Sequence, residues 1–106
     1  MEEIMKRKVV LASHGELSEG IVKSAKMIIG EFEYEVITYT LQLGHHPDEF
    51  KDVLEEEIMA NADVEYVIMV DLFGASVANS LFILTSYKNV KMFTGMMSRL
   101  IDFVTS

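Results

Sequence analysis

Cysteine is absent from these 106 residues. That excludes a disulfide framework, a thiolate nucleophile and a zinc–thiolate cluster, and it argues against redox chemistry by the protein's own side chains. Long apolar runs are missing too: none approaches the ~20 residues of a membrane span, and the opening MEEIMKRK has no signal-peptide core. A soluble, cytoplasmic protein is expected. Bases are scarce, nine Lys and Arg against seventeen Asp and Glu, for a formal charge of −8. Such a surface repels phosphate backbones and offers no basic stripe, which argues against nucleic acid as a partner. It favours a partner that is basic where it docks, or it serves only solubility. Much of the acid lies in DEFKDVLEEEI, residues 48–58, expected as the outer face of a helix. Proline occurs once, at Pro47, and there is no linker, repeat or low-complexity tract. With half its residues hydrophobic, the chain is expected to form one domain over 1–106, since neither half alone would bury enough surface.

What is present is an alternation of strand and helix. Val9 to Ala12 is a short apolar run; Leu17, Ile21, Ala25 and Ile28 then recur at helical spacing until Gly30. Tyr34 to Leu41 is β-branched and aromatic, and a Gly-His-His loop leads to a helix that starts near Pro47. Tyr66 to Leu72 is a third strand, Ala75 to Ser86 a third helix, Val90 to Thr94 a fourth strand, and Met97 to Val104 the start of a fourth helix. This alternation predicts an α/β fold: a doubly wound, mainly parallel four-stranded sheet with helices on both faces. VVLA and YVIMV are apolar throughout, as central strands are, whereas Glu35 and Lys91 mark the other two as edges, giving the order 2-1-3-4. The eight methionines are expected to fill gaps in the core, with Met96-Met97 as an adaptable surface patch.

In a sheet of that order the crevice lies beyond the carboxyl ends of strands 1 and 3, where His14 and Asp71 converge. A carboxylate that takes the proton of one imidazole nitrogen leaves the other as a nucleophilic lone pair. After Asp71, the run Leu72-Phe73-Gly74-Ala75-Ser76 turns into a helix start, where free N–H groups and the helix dipole attract an anion. Gly74 allows close approach and the Ser76 hydroxyl adds a donor. A nucleophilic nitrogen facing an anion cradle suits phosphoryl transfer, which depends on positioning and charge stabilisation. The plainer alternative is a loop histidine and a helix-capping aspartate. No acidic pair follows strand 1, which disfavours a receiver-type phosphoaspartate. His45 and His46 lack a further ligand at metal-binding spacing and are expected to be solvated. No metal or cofactor is expected.

At these residues the chain resembles the EIIA domains of the mannose family of the bacterial phosphoenolpyruvate-dependent sugar phosphotransferase system (PTS). VVLASHGELSEGIVKSAKMIIG is similar to that family's first strand, active-site histidine and first helix. GHHPDEF falls at its Gly-x-x-Pro-x-x-Leu loop, VIMVDLFGASVANSL resembles its Asp-Leu-Phe-Gly-Gly-Ser-Pro-x-Asn segment, and Gly95 fits the end of the fourth strand. The resemblance implies that His14 receives phosphate from the phosphocarrier protein HPr and passes it to a cognate EIIB. Asp71 would orient the imidazole, and Gly74, Ala75 and Ser76 would hold the phosphoryl oxygens. Membrane EIIC and EIID would be partners only indirectly. Ala75 stands in place of the second glycine, Val77 and Ala78 in place of proline and a bulkier residue, and Met97 and Arg99 in an Asn-Leu-Pro segment. Family members usually continue through a longer last helix to a strand exchanged in a homodimer, so the resemblance implies here either a shortened C-terminus or a homodimer built differently, if one forms. Two other functions fit: a phosphotransferase domain serving a dihydroxyacetone kinase, and a non-catalytic regulatory module on this fold.

Overall fold

The computed structural model describes residues 6–31, 34–42, 44–71, 76–96 and 99–100. Four strands, β1 (Lys6–His14), β2 (Glu35–Leu41), β3 (Val64–Val70) and β4 (Val90–Phe93), alternate with the helices α1 (Leu17–Ile29), α2 (Pro47–Ala60) and α3 (Ser76–Phe82). All pairings are parallel and the order is β2-β1-β3-β4, as the apolar runs predict.

Side chains alternate across the central strands and build a core on each face of the sheet. Val10, Ala12, Tyr66, Ile68 and Val70 face α2 and α3, meeting Leu54, Ile58, Val77, Ala78 and Leu81. Val9, Leu11, Val67 and Met69 face α1 and the helical residues after β4, meeting Ala25, Met96 and Leu100. Such burial on both faces is what fully apolar strands are for, and β2 and β4 are correspondingly only half-buried.

Several details depart from the sequence pattern. β1 begins before Val9 because its charged start is neutralised: Arg7 pairs with Glu65 at 2.9 Å, and Lys8 with Glu35 at 3.0 Å and Glu57 at 3.2 Å. The face α1 buries runs through Ser18, Ile21, Val22 and Ala25, leaving Leu17 and Ile28 exposed. Met69 and Met96 are buried, but Met27 and Met59 lie on the surface, so the methionines are not uniformly core, and Met96 is no surface patch. The third helix is α-helical only to Phe82; Ile83–Ser86 tightens into a 3-10 turn. There Thr85 and Ser86 donate their hydroxyls to the carbonyls of Phe82 and Ile83, a local bonding mode that competes with regular helix. Of the expected fourth helix, Met96 and residues 99–100 are helical, and 101–104 lie outside the described residues. Among the described residues no helix is long and apolar enough to cross a membrane.

Candidate functional site

The site forms where β1 and β3 end. β1 stays in register with β2 as far as His14 opposite Leu41, and the next N–H, that of Gly15, still donates to the Leu41 carbonyl at 2.8 Å. Gly15 then turns the chain at φ 57°, a left-handed conformation that glycine adopts without strain. Two buried serines fasten the turn. Ser13 Oγ accepts the N–H of Ser18 at 2.8 Å, and Ser18 Oγ donates to the Tyr39 carbonyl at 3.0 Å. The residue at the helix cap position, Glu16, makes no side-chain cap bond, so Ser13 satisfies one of the free N–H groups of α1 in its place. The sequence signal for this tie is two serines five apart, one of them on the face of α1 that packs against the sheet; composition gives no hint of it.

Asp71 directly follows β3, whose last residue Val70 pairs with Ala12. One carboxylate oxygen, Oδ2, accepts the His14 main-chain N–H at 3.0 Å and faces ring Nδ1 at 3.1 Å. On the other side of the ring, Nε2 lies 3.1 Å from Ser76 Oγ at the first residue of α3. The three side chains singled out in sequence therefore meet around one imidazole. Gly74 and Ala75, the other expected phosphoryl-binding residues, lie outside the described residues, as do Leu72 and Phe73.

The protonation pattern follows from what each partner can do. An ionised carboxylate only accepts, so Nδ1 carries the ring proton and Nε2 carries the lone pair that accepts the Ser76 hydroxyl. Burial pushes the Asp71 carboxyl up, but the hydrogen bonds from the His14 main chain and ring, with the attraction of the imidazole, outweigh it. Together they hold Asp71 below its ordinary value, ionised at neutral pH. The His14 side chain is 43% exposed and that of Asp71 only 12%: the ring is open to solvent while the carboxylate that holds it is sheltered.

His45 and His46 serve elsewhere. His46 precedes α2 and its Nδ1 accepts the Asp48 N–H at 3.2 Å, a helix cap. His45 lies 3.8 Å from Glu49. Among the described residues no group of three or more His, Asp and Glu side chains converges to hold a metal ion.

Comparison with known proteins adds a family to this geometry. The model of the family EIIA-man, described as "PTS system fructose IIA component", matches residues 8–99. Among solved structures, the PTS IIA protein associated with the fucose utilization operon of Streptococcus pneumoniae is 27% identical with a TM-score of 0.78; the match covers 96% of this chain and 79% of that one. Phosphotransferase system component EIIA of Streptococcus agalactiae is 26% identical, TM-score 0.79, over 94% and 78% of the two chains. A putative PTS permease of Klebsiella pneumoniae, 24% identical with a TM-score of 0.82 over 95% and 74%, shares the fold.

Proposed function

Because the chain belongs to the EIIA-man family of sugar phosphotransferase system components, we propose that His14 is a phosphoryl carrier, loaded by phospho-HPr and unloaded onto a cognate EIIB. The observation that carries this is the clamped imidazole: Nδ1 on Asp71, and Nε2 facing Ser76 at the exposed end of the sheet. The Nε2 lone pair attacks phosphorus in line. A P–N bond forms, the bond between phosphorus and the donor breaks, and its electron pair stays on the donor. Asp71 keeps the proton on Nδ1 throughout and balances the positive charge that develops on the ring. The Ser76 hydroxyl turns from Nε2 to a phosphoryl oxygen. No cofactor takes part, since positioning and charge stabilisation suffice for this transfer.

The family match and the PTS relatives support the sugar-uptake branch over a dihydroxyacetone kinase partner. The chain would act at the cytoplasmic side, relaying phosphate without touching the sugar. Incubation with phosphoenolpyruvate, Enzyme I and HPr is expected to add one acid-labile phosphate, detected as a mass increase of the intact protein and lost in His14→Ala. Failure of the wild-type protein to take up phosphate would overturn the assignment.

A further inference from the structure

On the edge strand β2, next to β1, lies a groove of about 310 Å³ lined by Tyr39, Thr40, Gln42, His45, Glu49 and Phe50. Its apolar wall is a stack of Tyr39 on Phe50, ring centroids 4.3 Å apart and planes within 8°. Gln42, His45 and Glu49 form a polar rim. The groove belongs to the same end of the sheet as the site: Leu41, between Thr40 and Gln42, is the register partner of His14 and accepts the Gly15 N–H. The groove thus lies one strand away from His14, within the span of a protein-sized partner.

The chemistry of the rim selects the sign of its ligand. The start of α2 points here, and a bare helix start would attract an anion. This one is already saturated. Pro47 has no N–H, the Asp48 N–H is held by the His46 ring, and the Glu49 N–H by the His46 carbonyl at 3.1 Å. Asp48 and Glu49 add two carboxylates to the same turn, and Asp48 also accepts the Ser80 hydroxyl. Along the exposed side of α2, Asp52 and Glu56 extend the negative field. The one cation of that helix, Lys51, already has its ammonium 2.7 Å from Asp52 and 3.7 Å from Glu55. Glu49 itself is 70% exposed, and its only ion-pair partner among the described residues is His45. An aromatic wall beside an open carboxylate and a side-chain amide is a receptor for a planar cation.

We propose that the groove receives an arginine side chain of the phosphoryl-bearing partner protein, anchoring that partner while His14 is loaded. The guanidinium lies against the Tyr39–Phe50 stack and pairs with the Glu49 carboxylate and the Gln42 side-chain carbonyl. Arginine fits better than lysine because its flat, weakly hydrated head can stack and form paired hydrogen bonds at once. This rests on the phosphocarrier role of His14 and specifies how the partner is held.

The test compares two phosphoryl donors, phospho-HPr and the small molecule phosphoramidate, which brings no side chain. For Glu49→Gln the KM for phospho-HPr is expected to rise about tenfold with little change in kcat, and the loss of uptake with added salt to become shallower. Glu49→Lys is expected to go further, and Gln42→Glu to lower KM. In the Glu49 variants, uptake from phospho-HPr is expected to fall relative to uptake from phosphoramidate. An unchanged KM and salt dependence in both Glu49 variants would overturn the groove assignment and leave the carrier role standing. Wild-type protein that accepts phosphate from neither donor would overturn both.

Discussion

A single carboxylate oxygen holds both the main chain and the ring of His14, which makes Asp71 the residue on which the site turns. In Asp71→Asn the amide no longer favours one tautomer, and phosphate uptake is expected to fall by about 10²-fold or more, the lower range for loss of acid–base orientation. The same variant has a signature in stability. A carboxyl held below its ordinary value stabilises the fold above the unfolded pKa of about 3.9 and loses that contribution as pH falls through the folded value. Wild type should therefore exceed Asp71→Asn in urea midpoint at pH 6, and the gap should close as the pH is taken down through 4 towards 3. A gap that stays constant would show that Asp71 acts through shape alone. His14 and Asp71 were legible in sequence because residue type and strand ends suffice to place them. The shared oxygen was not, because it depends on the 3.0 Å approach of a main-chain N–H that any residue but proline would present at position 14.

Among the elements, the junction of β1, α1 and β2 carries the most for its size. Removing the Ser13 hydroxyl leaves the buried Ser18 N–H without its acceptor, so Ser13→Ala is expected to destabilise the protein by about 1–2 kcal/mol, as loss of a helix cap does. Denaturant unfolding measures this, and a change below the error of the midpoint would refute the tie. Strand and helix order followed from hydrophobic pattern, since buried strands must be apolar and each helix must cover a face. The rotation of α1 did not. Leu17 and Ile28 share the helical spacing but lie to one side of the stripe through Ser18 and Ala25, and a buried serine is invisible to a hydrophobic count. The break at Ile83 is likewise absent from the hydrophobic pattern, because it rests on the Thr85 and Ser86 hydroxyls bonding main-chain carbonyls three residues back.

At the scale of the whole molecule, one sheet supports two cores, and neither can survive without it. Ile68→Ala, under α2 and α3, and Leu11→Ala, under α1, are each expected to lower stability by about 2–5 kcal/mol, the range for truncating fully buried aliphatic side chains. Circular dichroism and tyrosine fluorescence should then report a single transition for both variants, and transitions that separate would mean that the two faces melt independently. The order β2-β1-β3-β4 was available from sequence because two strands are apolar and two carry charge, while the groove at the β2 edge was not, because it needs Tyr39 and Phe50 brought together by the path of α2. The parallel ladder between β1 and β3 ends at Ala12 opposite Val70, and its next rung is made by the Asp71 side chain rather than by main chain. If His14 carries phosphate as proposed, the group would load a rung of the sheet, and amide hydrogen exchange in the two central strands is expected to differ between the phosphorylated and free protein.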